Sequence, residues 1–387
     1  MIEDRTGPLQ GTLVADFSRV LAGPLATATL ADLGATVIKV ERPGAGDDTR
    51  HWGPPWTENS SSYFEAANRS KRSVELDLAD EDDRALAVEL AGRADVVVEN
   101  FREGTLARKG LGYEQVSAAN PGVVYVSVTG FGSAGGAALP GYDFLVQAVG
   151  GLMSITGTPE EPTKVGVALV DVLTAKDAVI GTLAALRHRD ATGRGQRVEV
   201  NLLSSLLGSL ANQASAYLAT GTPPGRMGNQ HPSIAPYETL AAKDGQLAVC
   251  CGNDRQFRAL AAALGIPDAA DDPRFATNAA RVTHRPQLLA ALERALAGDC
   301  VDAWVERLTA VGVPAGRVGD LADAFALAER LGLSPTAPVE GAPPQVRNPV
   351  SFSDTPVREY AAPPRLGADN DAVRRWLAEP VSRASRG

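Results

Sequence analysis

The sequence GTLVADFSRVLAGPLATATLADLGATVIKVERP, from Gly11 to Pro43, decides the fold. It begins with a short apolar run typical of a strand and continues, after a turn, with residues that recur at the spacing of one helix face. Gly34 then ends the helical pattern, and the β-branched run from Thr36 to Val40 predicts a second strand. This order forms a β-α-β unit, which predicts two parallel strands joined by a right-handed crossover.

Further strand and helix patterns extend this sheet along the chain. They predict a helix over 80–92 and strands over 95–99, 123–129 and 197–201. A Pro/Gly-rich stretch after Gly221 breaks the pattern, and the following segment mixes strands with helices. We therefore expect an α/β protein with three parts: a large domain over 1–220, a linker and small α+β domain over 221–330, and a return to the large domain over 331–387.

A dinucleotide-binding site is the first alternative for the β-α-β unit, because Glu41 ends the second strand where such sites carry a ribose-binding acid. The turn from Ser18 to Pro24 argues against it. This turn contains one glycine and lacks the G-x-G-x-x-G pattern whose backbone approaches a pyrophosphate. We therefore expect neither a nicotinamide nor a flavin cofactor.

The 387 residues carry a net charge of −9 and no concentrated basic tract, which argues against nucleic acid and anionic membranes as partners. No apolar run approaches the ~18 residues of a membrane span, and the N-terminal stretch lacks the pattern of a signal peptide. The three cysteines suit neither a zinc site nor a disulfide framework. We expect a cytoplasmic protein without a bound metal.

A single carboxylate, Asp171, stands where the apolar run over 165–170 gives way to a helical pattern. The run predicts an extended segment, so Asp171 is expected at the start of the helix. Two interpretations fit that position. Asp171 is either an N-cap that accepts hydrogen bonds from the first helical N–H groups, or a nucleophile that the same groups and the helix dipole keep ionised. The spacing does not choose between them.

Three polar segments of the first half are also candidates for a site. The Gly/Pro-rich loop from Arg42 to Trp56 is too long for a simple connection and is a candidate binding loop. The basic stretch Arg69 to Arg72 comes before an alternating strand pattern and is expected to be solvated. Asn100 and Phe101 follow a strand at its carboxyl end, where open α/β sheets bind ligands.

Taken together, the motifs resemble those of family III CoA-transferases, a group that includes formyl-CoA transferase, carnitine CoA-transferase-like proteins and α-methylacyl-CoA racemase. The resemblance covers nearly the whole chain, and its motifs occur in family order. They include DFSRVLAGP at Asp16–Pro24, VIKVERPGAGDDTR at Val37–Arg50, NRSKRSVELDL at Asn68–Leu78, VVVENFREG at Val96–Gly104, VALVDVLTAKDAVIGTLAAL at Val167–Leu186 and HPSIAPYET at His231–Thr239. Each motif alone is weak, whereas the ordered set is specific.

The resemblance implies a Rossmann-like large domain, a smaller domain and an interlocked homodimer. It also implies that Asp171 is the catalytic residue of a CoA-transferase, which moves CoA from an acyl-CoA donor to a carboxylic acid through aspartyl anhydride and aspartyl-CoA intermediates. CoA is then a substrate, and no tightly bound cofactor or metal is expected. The CoA contacts that the resemblance implies are Arg19, Val20, Arg42, Leu76, Asn100, Phe101 and Arg108.

The chain departs from formyl-CoA transferase at two positions beside the expected site. Arg19 stands where that enzyme carries His, and Leu21 stands where it carries Gln, so a different acyl specificity is expected. The alternative function is a 2-methylacyl-CoA racemase. Racemases of the family use the His of a glycine-His-Asp motif, and this chain has Tyr142 there. Tyrosine, with a pKa of about 10 in model peptides, is a poor general base at neutral pH.

Three further groups keep open roles. The loop from Gly228 to His231 lies where formyl-CoA transferase has a glycine-rich lid, and three of its four residues carry side chains. His231 either anchors the linker or takes part in the active site. Asp143 and Glu238 are expected to be structural.

Overall fold

The computed structural model describes residues 6–357 and 360–379. These residues divide into two compact units. The first unit comprises the described residues up to Leu152, Val165–Thr222 and the described residues from Ser334 onwards, and the second comprises Met153–Lys164 and Pro223–Leu333. The division thus groups Met153–Lys164 with the second unit, although the sequence pattern assigns this segment to the large domain.

The described residues form eleven strands. They are β1 (Leu13–Asp16), β2 (Thr36–Glu41), β3 (Arg72–Glu75), β4 (Val96–Glu99), β5 (Val124–Thr129), β6 (Gln196–Asn201), β7 (Tyr237–Ala242), β8 (Gly245–Cys250), β9 (Ala315–Arg317), β10 (Thr336–Ala337) and β11 (Gln345–Val346).

Fifteen α-helices accompany these strands in the described residues. They are α1 (Ala22–Asp32), α2 (Ser62–Ala66), α3 (Glu81–Arg93), α4 (Tyr113–Ala119), α5 (Asp143–Val149), α6 (Leu152–Ile155), α7 (Leu169–Thr192), α8 (Leu202–Ser209), α9 (Ala211–Thr220), α10 (Asp254–Ala263), α11 (Asn278–Thr283), α12 (Arg285–Leu296), α13 (Val301–Ala310), α14 (Leu321–Arg330) and α15 (Asn370–Ala378).

A six-stranded parallel sheet organises the first unit, with the strand order β3-β2-β1-β4-β5-β6. β2 and β4 are buried along their length, and β4 accordingly reads as an almost continuous apolar run, whereas β2 also buries Lys39 and Glu41. The order reverses between β1 and β4, and such a switch point leaves a crevice at the carboxyl ends of the strands. The prediction of an α/β fold with a parallel sheet is confirmed.

The C-terminal helix α15 packs against α3 and β3 of this sheet. Val373 and Leu377 form its buried face, and the Asp369 carboxylate accepts the backbone N–H of Ser73 at 2.9 Å. The end of the described chain is therefore built into the first unit.

The basic stretch before β3 is not solvated, contrary to the sequence prediction. Arg69 donates from Nε to Asp32 at 2.9 Å, and Lys71 lies 3.0 Å from Asp16 with its side chain fully buried. The prediction fails because each cation has a buried carboxylate as a partner, and these acids are distant along the chain.

In the second unit, β7, β8 and β9 form an antiparallel sheet packed against helices. The buried Glu238 carboxylate pairs with Arg285 at 2.8 Å, and Arg285 also donates to the carbonyl of His231 at 2.6 Å. The His231 ring accepts the backbone N–H of Ser233 at 3.0 Å. In the described part of the chain, no helix combines the length and apolar character that crossing a membrane requires.

Candidate active site

A cavity of about 290 Å³ opens at the switch point of the parallel sheet. Its wall is formed by residues that follow β1, β4 and β5, together with one residue of α7. Among the lining residues are Arg19, Val20, Asn100, Phe101, Arg102, Gly130, Gly136, Tyr142 and Asp171. Five of the positions implied by the family resemblance therefore meet in one cavity.

Asp171 is the third residue of α7, because the helix begins at Leu169. The N-cap position belongs to Ala168, which makes no side-chain cap, so the N-cap interpretation of Asp171 is wrong. Asp143, which is distant in sequence, caps the start of α7 instead. Its Oδ1 accepts the N–H of Val170 at 2.8 Å and that of Asp171 at 3.4 Å. This leaves the Asp171 carboxylate at the cavity wall.

Burial raises the pKa of Asp171, and the negative charge of Asp143 raises it further, to about 7. The sequence interpretation expected the first N–H groups and the dipole of the helix to keep this carboxylate ionised. That expectation is wrong in direction, because α7 already has Asp143 at its first N–H groups. Among the described residues, no cation forms an ion pair with Asp171. The result is a basic carboxylate, half-ionised near neutral pH.

Tyr63 belongs to the surroundings of Asp171, although the sequence analysis did not single it out. Burial raises the pKa of its hydroxyl to about 12, and the charges of Asp171, Asp143 and Asp47 add to this effect. Tyr63 is therefore neutral at physiological pH and keeps its proton for donation. The available sequence signal is its position in the short helix α2, between the Gly/Pro-rich loop and the basic stretch.

The loop after β1 is held in one conformation by its neighbours. The N–H of Arg19 donates to Oδ1 of Asn100 at 2.9 Å, and Nδ2 of Asn100 donates to the Arg19 carbonyl at 2.7 Å. Val20 follows with φ of 70°, a left-handed conformation that is strained for a β-branched residue. Its N–H points to the Asp47 carboxylate, 3.2 Å away. These contacts join the carboxyl ends of β1 and β4 across the switch point.

Buried charges support this loop from beneath. Lys39 on β2 is fully buried, pairs with Asp47 at 2.9 Å and donates to the Ser18 carbonyl at 2.9 Å. Asp47 was not identified from sequence as a site residue, although it lies in the Gly/Pro-rich loop that was a candidate binding loop. Its carboxylate pairs with the Lys39 ammonium and accepts the backbone N–H of the strained Val20.

A second cavity of about 240 Å³ shares Arg19 and Phe101 with the first. Arg42 and Leu76, two further positions implied by the resemblance, also line it, together with Lys109. The Arg42 guanidinium pairs with Asp48 at 2.8 Å and is largely exposed. The second cavity therefore combines apolar walls with four cations (Arg19, Lys39, Arg42 and Lys109) and three acids (Glu41, Asp47 and Asp77). Because Asp47 is paired with Lys39, Arg19, Arg42 and Lys109 are the cations that an anionic ligand with apolar parts would meet.

Arg108 lines neither of these two cavities. Its side chain is exposed, and its nearest described partner is the Thr105 hydroxyl at 3.4 Å. The neighbouring Lys109 reaches the second cavity instead, where its ammonium donates to the Leu78 carbonyl at 2.9 Å. Arg108 and Lys109 are adjacent in the sequence, and a motif match does not tell which of the two side chains faces the cavity.

Groups of three or more His, Cys, Asp or Glu side chains that could hold a metal are absent from residues 6–357 and 360–379. Tyr142 lines the first cavity and is more than half exposed. The ionisable groups that line this cavity are the Asp171 and Glu103 carboxylates, Arg19, Arg102 and Tyr142.

Comparison with known proteins identifies the class. A model of CoA-transferase family III matches residues 9–370. The chain is 44% identical over 381 residues to the succinate–glutarate CoA-transferase of Agrobacterium fabrum, covering 94% of each chain. It is 40% identical over 382 residues to the acetyl-CoA:oxalate CoA-transferase of Acetobacter aceti, covering 97% of each.

A solved structure extends the comparison to the fold. The CaiB/BaiF family protein from Brucella suis matches with a TM-score of 0.87 and 45% identity, over 96% of this chain and all of that one. The chain therefore belongs to CoA-transferase family III. It is an enzyme that moves CoA from an acyl-CoA to a carboxylic acid, and these comparisons give no support for the racemase alternative.

Proposed function

We propose that this enzyme transfers CoA from an acyl-CoA to a free dicarboxylate, with Asp171 as the nucleophile. The observation that carries the proposal is the half-buried Asp171 carboxylate, whose raised pKa makes it basic, at the wall of the switch-point cavity. Succinate, glutarate and oxalate, the acids named for the two relatives, are all dicarboxylates.

In the first half-reaction, an oxygen of the Asp171 carboxylate attacks the thioester carbonyl of the donor. The C–S bond breaks, and CoA leaves as a thiolate from a mixed anhydride. The thiolate then attacks the aspartyl carbonyl and breaks its bond to the bridging oxygen. The first acid departs as a carboxylate, and the enzyme retains an aspartyl-CoA thioester.

In the second half-reaction, the acceptor carboxylate attacks the aspartyl thioester and releases the CoA thiolate again. The thiolate attacks the acceptor carbonyl of the new anhydride, which frees the Asp171 carboxylate and yields the new acyl-CoA. No net proton, metal or nucleotide is consumed, because each step exchanges a carboxylate for a thiolate. Backbone N–H groups of the glycine-rich segment over 130–136 are proposed to stabilise the oxyanions.

In this proposal the CoA contacts are assigned according to which of the two cavities each residue lines. Arg42 and Lys109 would bind phosphate, and Leu76 and Phe101 would support the apolar parts of CoA. Arg19, Val20 and Asn100 would form the passage towards Asp171, and Arg108 would act only from outside both cavities. The first unit is accordingly the CoA-binding domain of the proposal.

The proposal includes a homodimer in the cytoplasm. Exposed apolar side chains on the helices of the first unit support a partner surface: Ile180 on α7 is 65% exposed and Leu218 on α9 is 81% exposed. Three free cysteines, Cys250, Cys251 and Cys300, fit a reducing compartment.

A panel assay in deuterated water tests this function. The enzyme is incubated with succinyl-CoA, glutaryl-CoA, acetyl-CoA or a 2-methylacyl-CoA and with succinate, glutarate, oxalate or monocarboxylate analogues. The CoA esters are identified by mass. We expect new dicarboxyl-CoA esters without deuterium at the α-carbon. Hydroxylamine trapping and peptide mapping should locate the modified aspartyl group at Asp171. Solvent deuterium at the α-carbon without transfer to any acceptor would contradict the proposal and favour racemisation.

A further inference from the structure

Arg19 stands at the junction of the two cavities and lines both of them. Its backbone is fixed by reciprocal hydrogen bonds with Asn100 and by the adjoining Val20, whose N–H is held by Asp47. The position of the Arg19 Cα on the cavity wall is therefore fixed. A residue fixed in this way loses little additional backbone freedom when its side chain binds a ligand.

The Arg19 guanidinium is oriented but has few partners of its own. It lies over the Phe101 ring, 4.9 Å from the centroid, and its nearest described carboxylate, Asp48, is 3.7 Å away. Asp48 makes its shorter contact with Arg42, at 2.8 Å. Within the described residues, the Arg19 side chain forms no hydrogen bond, and its Nε is buried without a partner. A buried donor without a partner is unfavourable, so the site is more stable once an acceptor is present.

A carboxylate is the acceptor that a guanidinium matches best, because its two oxygens accept parallel N–H groups. The reacting carboxylate of a substrate must lie at Asp171, in the same cavity as Arg19. A dicarboxylate brings a second negative charge into this space, beside the negative charges of Asp171 and Asp143. That second charge needs a cation for compensation.

We infer that Arg19 binds the second, non-reacting carboxylate of the acyl group and so determines specificity for dicarboxylates. This role rests on the proposed function and adds a second ligand to the CoA contact that the family resemblance implies. Arg102 also lines the first cavity, but its side chain is exposed and is not fixed by comparable contacts. It provides a matched control of the same charge in the same cavity.

The test compares acids of equal chain length: succinate with butyrate, and glutarate with pentanoate. The variants are Arg19→Met, Arg19→Gln and Arg102→Met, with acetyl-CoA as the donor for every acceptor. In a ping-pong reaction, kcat/KM for the acceptor reports the second half-reaction, so donor binding cancels from the comparison. Thermal melting and CoA titration of each variant show that it is folded and binds CoA.

We expect both Arg19 variants to lose about 10- to 100-fold in the ratio of kcat/KM for the dicarboxylate over its monocarboxylate, the effect of one charge-assisted contact. Arg102→Met should leave this ratio within about threefold of wild type. Equal losses for both acids in the Arg19 variants would overturn the inference and leave a CoA contact only. A wild-type enzyme that transfers CoA to no dicarboxylate would instead contradict the proposed function itself.

Discussion

Two carboxylates of the first unit, Asp16 and Asp171, show opposite behaviour although both are removed from water. Asp16 is fully buried, yet the ammonium groups of Lys71 and Lys39 outweigh its burial and hold its pKa well below the ordinary value. Asp171 is less buried, has Asp143 as its charged neighbour, and has its pKa raised to about 7. Burial raises the pKa of both acids, and they differ because cations reverse this effect at Asp16 whereas the charge of Asp143 adds to it at Asp171.

The same comparison separates an acid whose oxygens are bound by the protein from the proposed nucleophile. Asp16 accepts hydrogen bonds from Thr27 at 2.7 Å and from Lys71 at 3.0 Å, so its oxygens are occupied by the protein. The Asp171 carboxylate forms no ion pair within the described part of the chain and lines a cavity. A carboxylate can attack an electrophile only through an oxygen that the protein leaves accessible, and a raised pKa makes that oxygen more basic.

Replacing the proposed nucleophile should have the largest effect. Asp171→Asn should reduce CoA transfer by roughly 10⁴-fold or more, because it removes the proposed nucleophile and keeps the size of the side chain. The melting temperature should stay near that of wild type, since Asp143 rather than Asp171 holds the start of α7. Initial rates by mass spectrometry measure the loss. Asp177→Asn, an exposed change on the same helix, is the control, and full activity of Asp171→Asn would exclude this nucleophile.

Breaking the structural pair should affect stability instead. Lys71→Met should lower the free energy of unfolding by about 3–5 kcal/mol, because it leaves Asp16 buried with one ammonium partner fewer. Denaturant unfolding followed by circular dichroism measures this change. Asp302→Asn removes a partner of Arg317 at the surface and should leave unfolding near that of wild type. A Lys71→Met protein as stable as wild type would show that Lys39 alone compensates Asp16.

The smallest expected effect is a change in pH dependence. The nucleophile must be ionised, so wild-type kcat/KM should rise with pH through about 7 and then level off. Asp143→Asn removes the negative neighbour, which should move this rise to lower pH and increase activity severalfold near pH 6. The amide oxygen can still accept the Val170 N–H, so α7 keeps its cap. Asp190→Asn makes the same charge change at the far end of α7, and an identical shift there would refute the local cause.

Local patterns predicted much of the fold, because periodicity is a property of neighbouring residues. The β-α-β unit and the parallel sheet follow directly from such patterns. The prediction of an extended segment over 165–170 was wrong at its end, because α7 begins at Leu169. One oxygen of Asp143 accepts the N–H groups of Val170 and Asp171, which lie 27 and 28 residues further along the chain. No pattern near residue 171 contains that information.

Prediction of the site depends on contacts between residues that are even further apart in the sequence. Motif resemblance assembled residues that meet in the first cavity, including Arg19, Asn100 and Asp171. It did not indicate that Lys71 is buried against Asp16, that Tyr63 interacts with Asp171, or that Lys109 rather than Arg108 lines the second cavity. These features depend on charges brought together by the sheet, so composition and spacing along the chain do not contain them.

The wall that the two cavities share has a consequence for inhibitor design. Because Arg19 and Phe101 line both cavities, the cavities are adjacent, and fragments bound in them could be joined by a short linker. Joining a pantetheine-like fragment to a short dicarboxylate would make the second binding event intramolecular, with an effective concentration of the order of millimolar for a short linker. Such a compound should gain avidity from its tether alone, and it should lose that gain when the linker is too short to pass the Arg19 side chain.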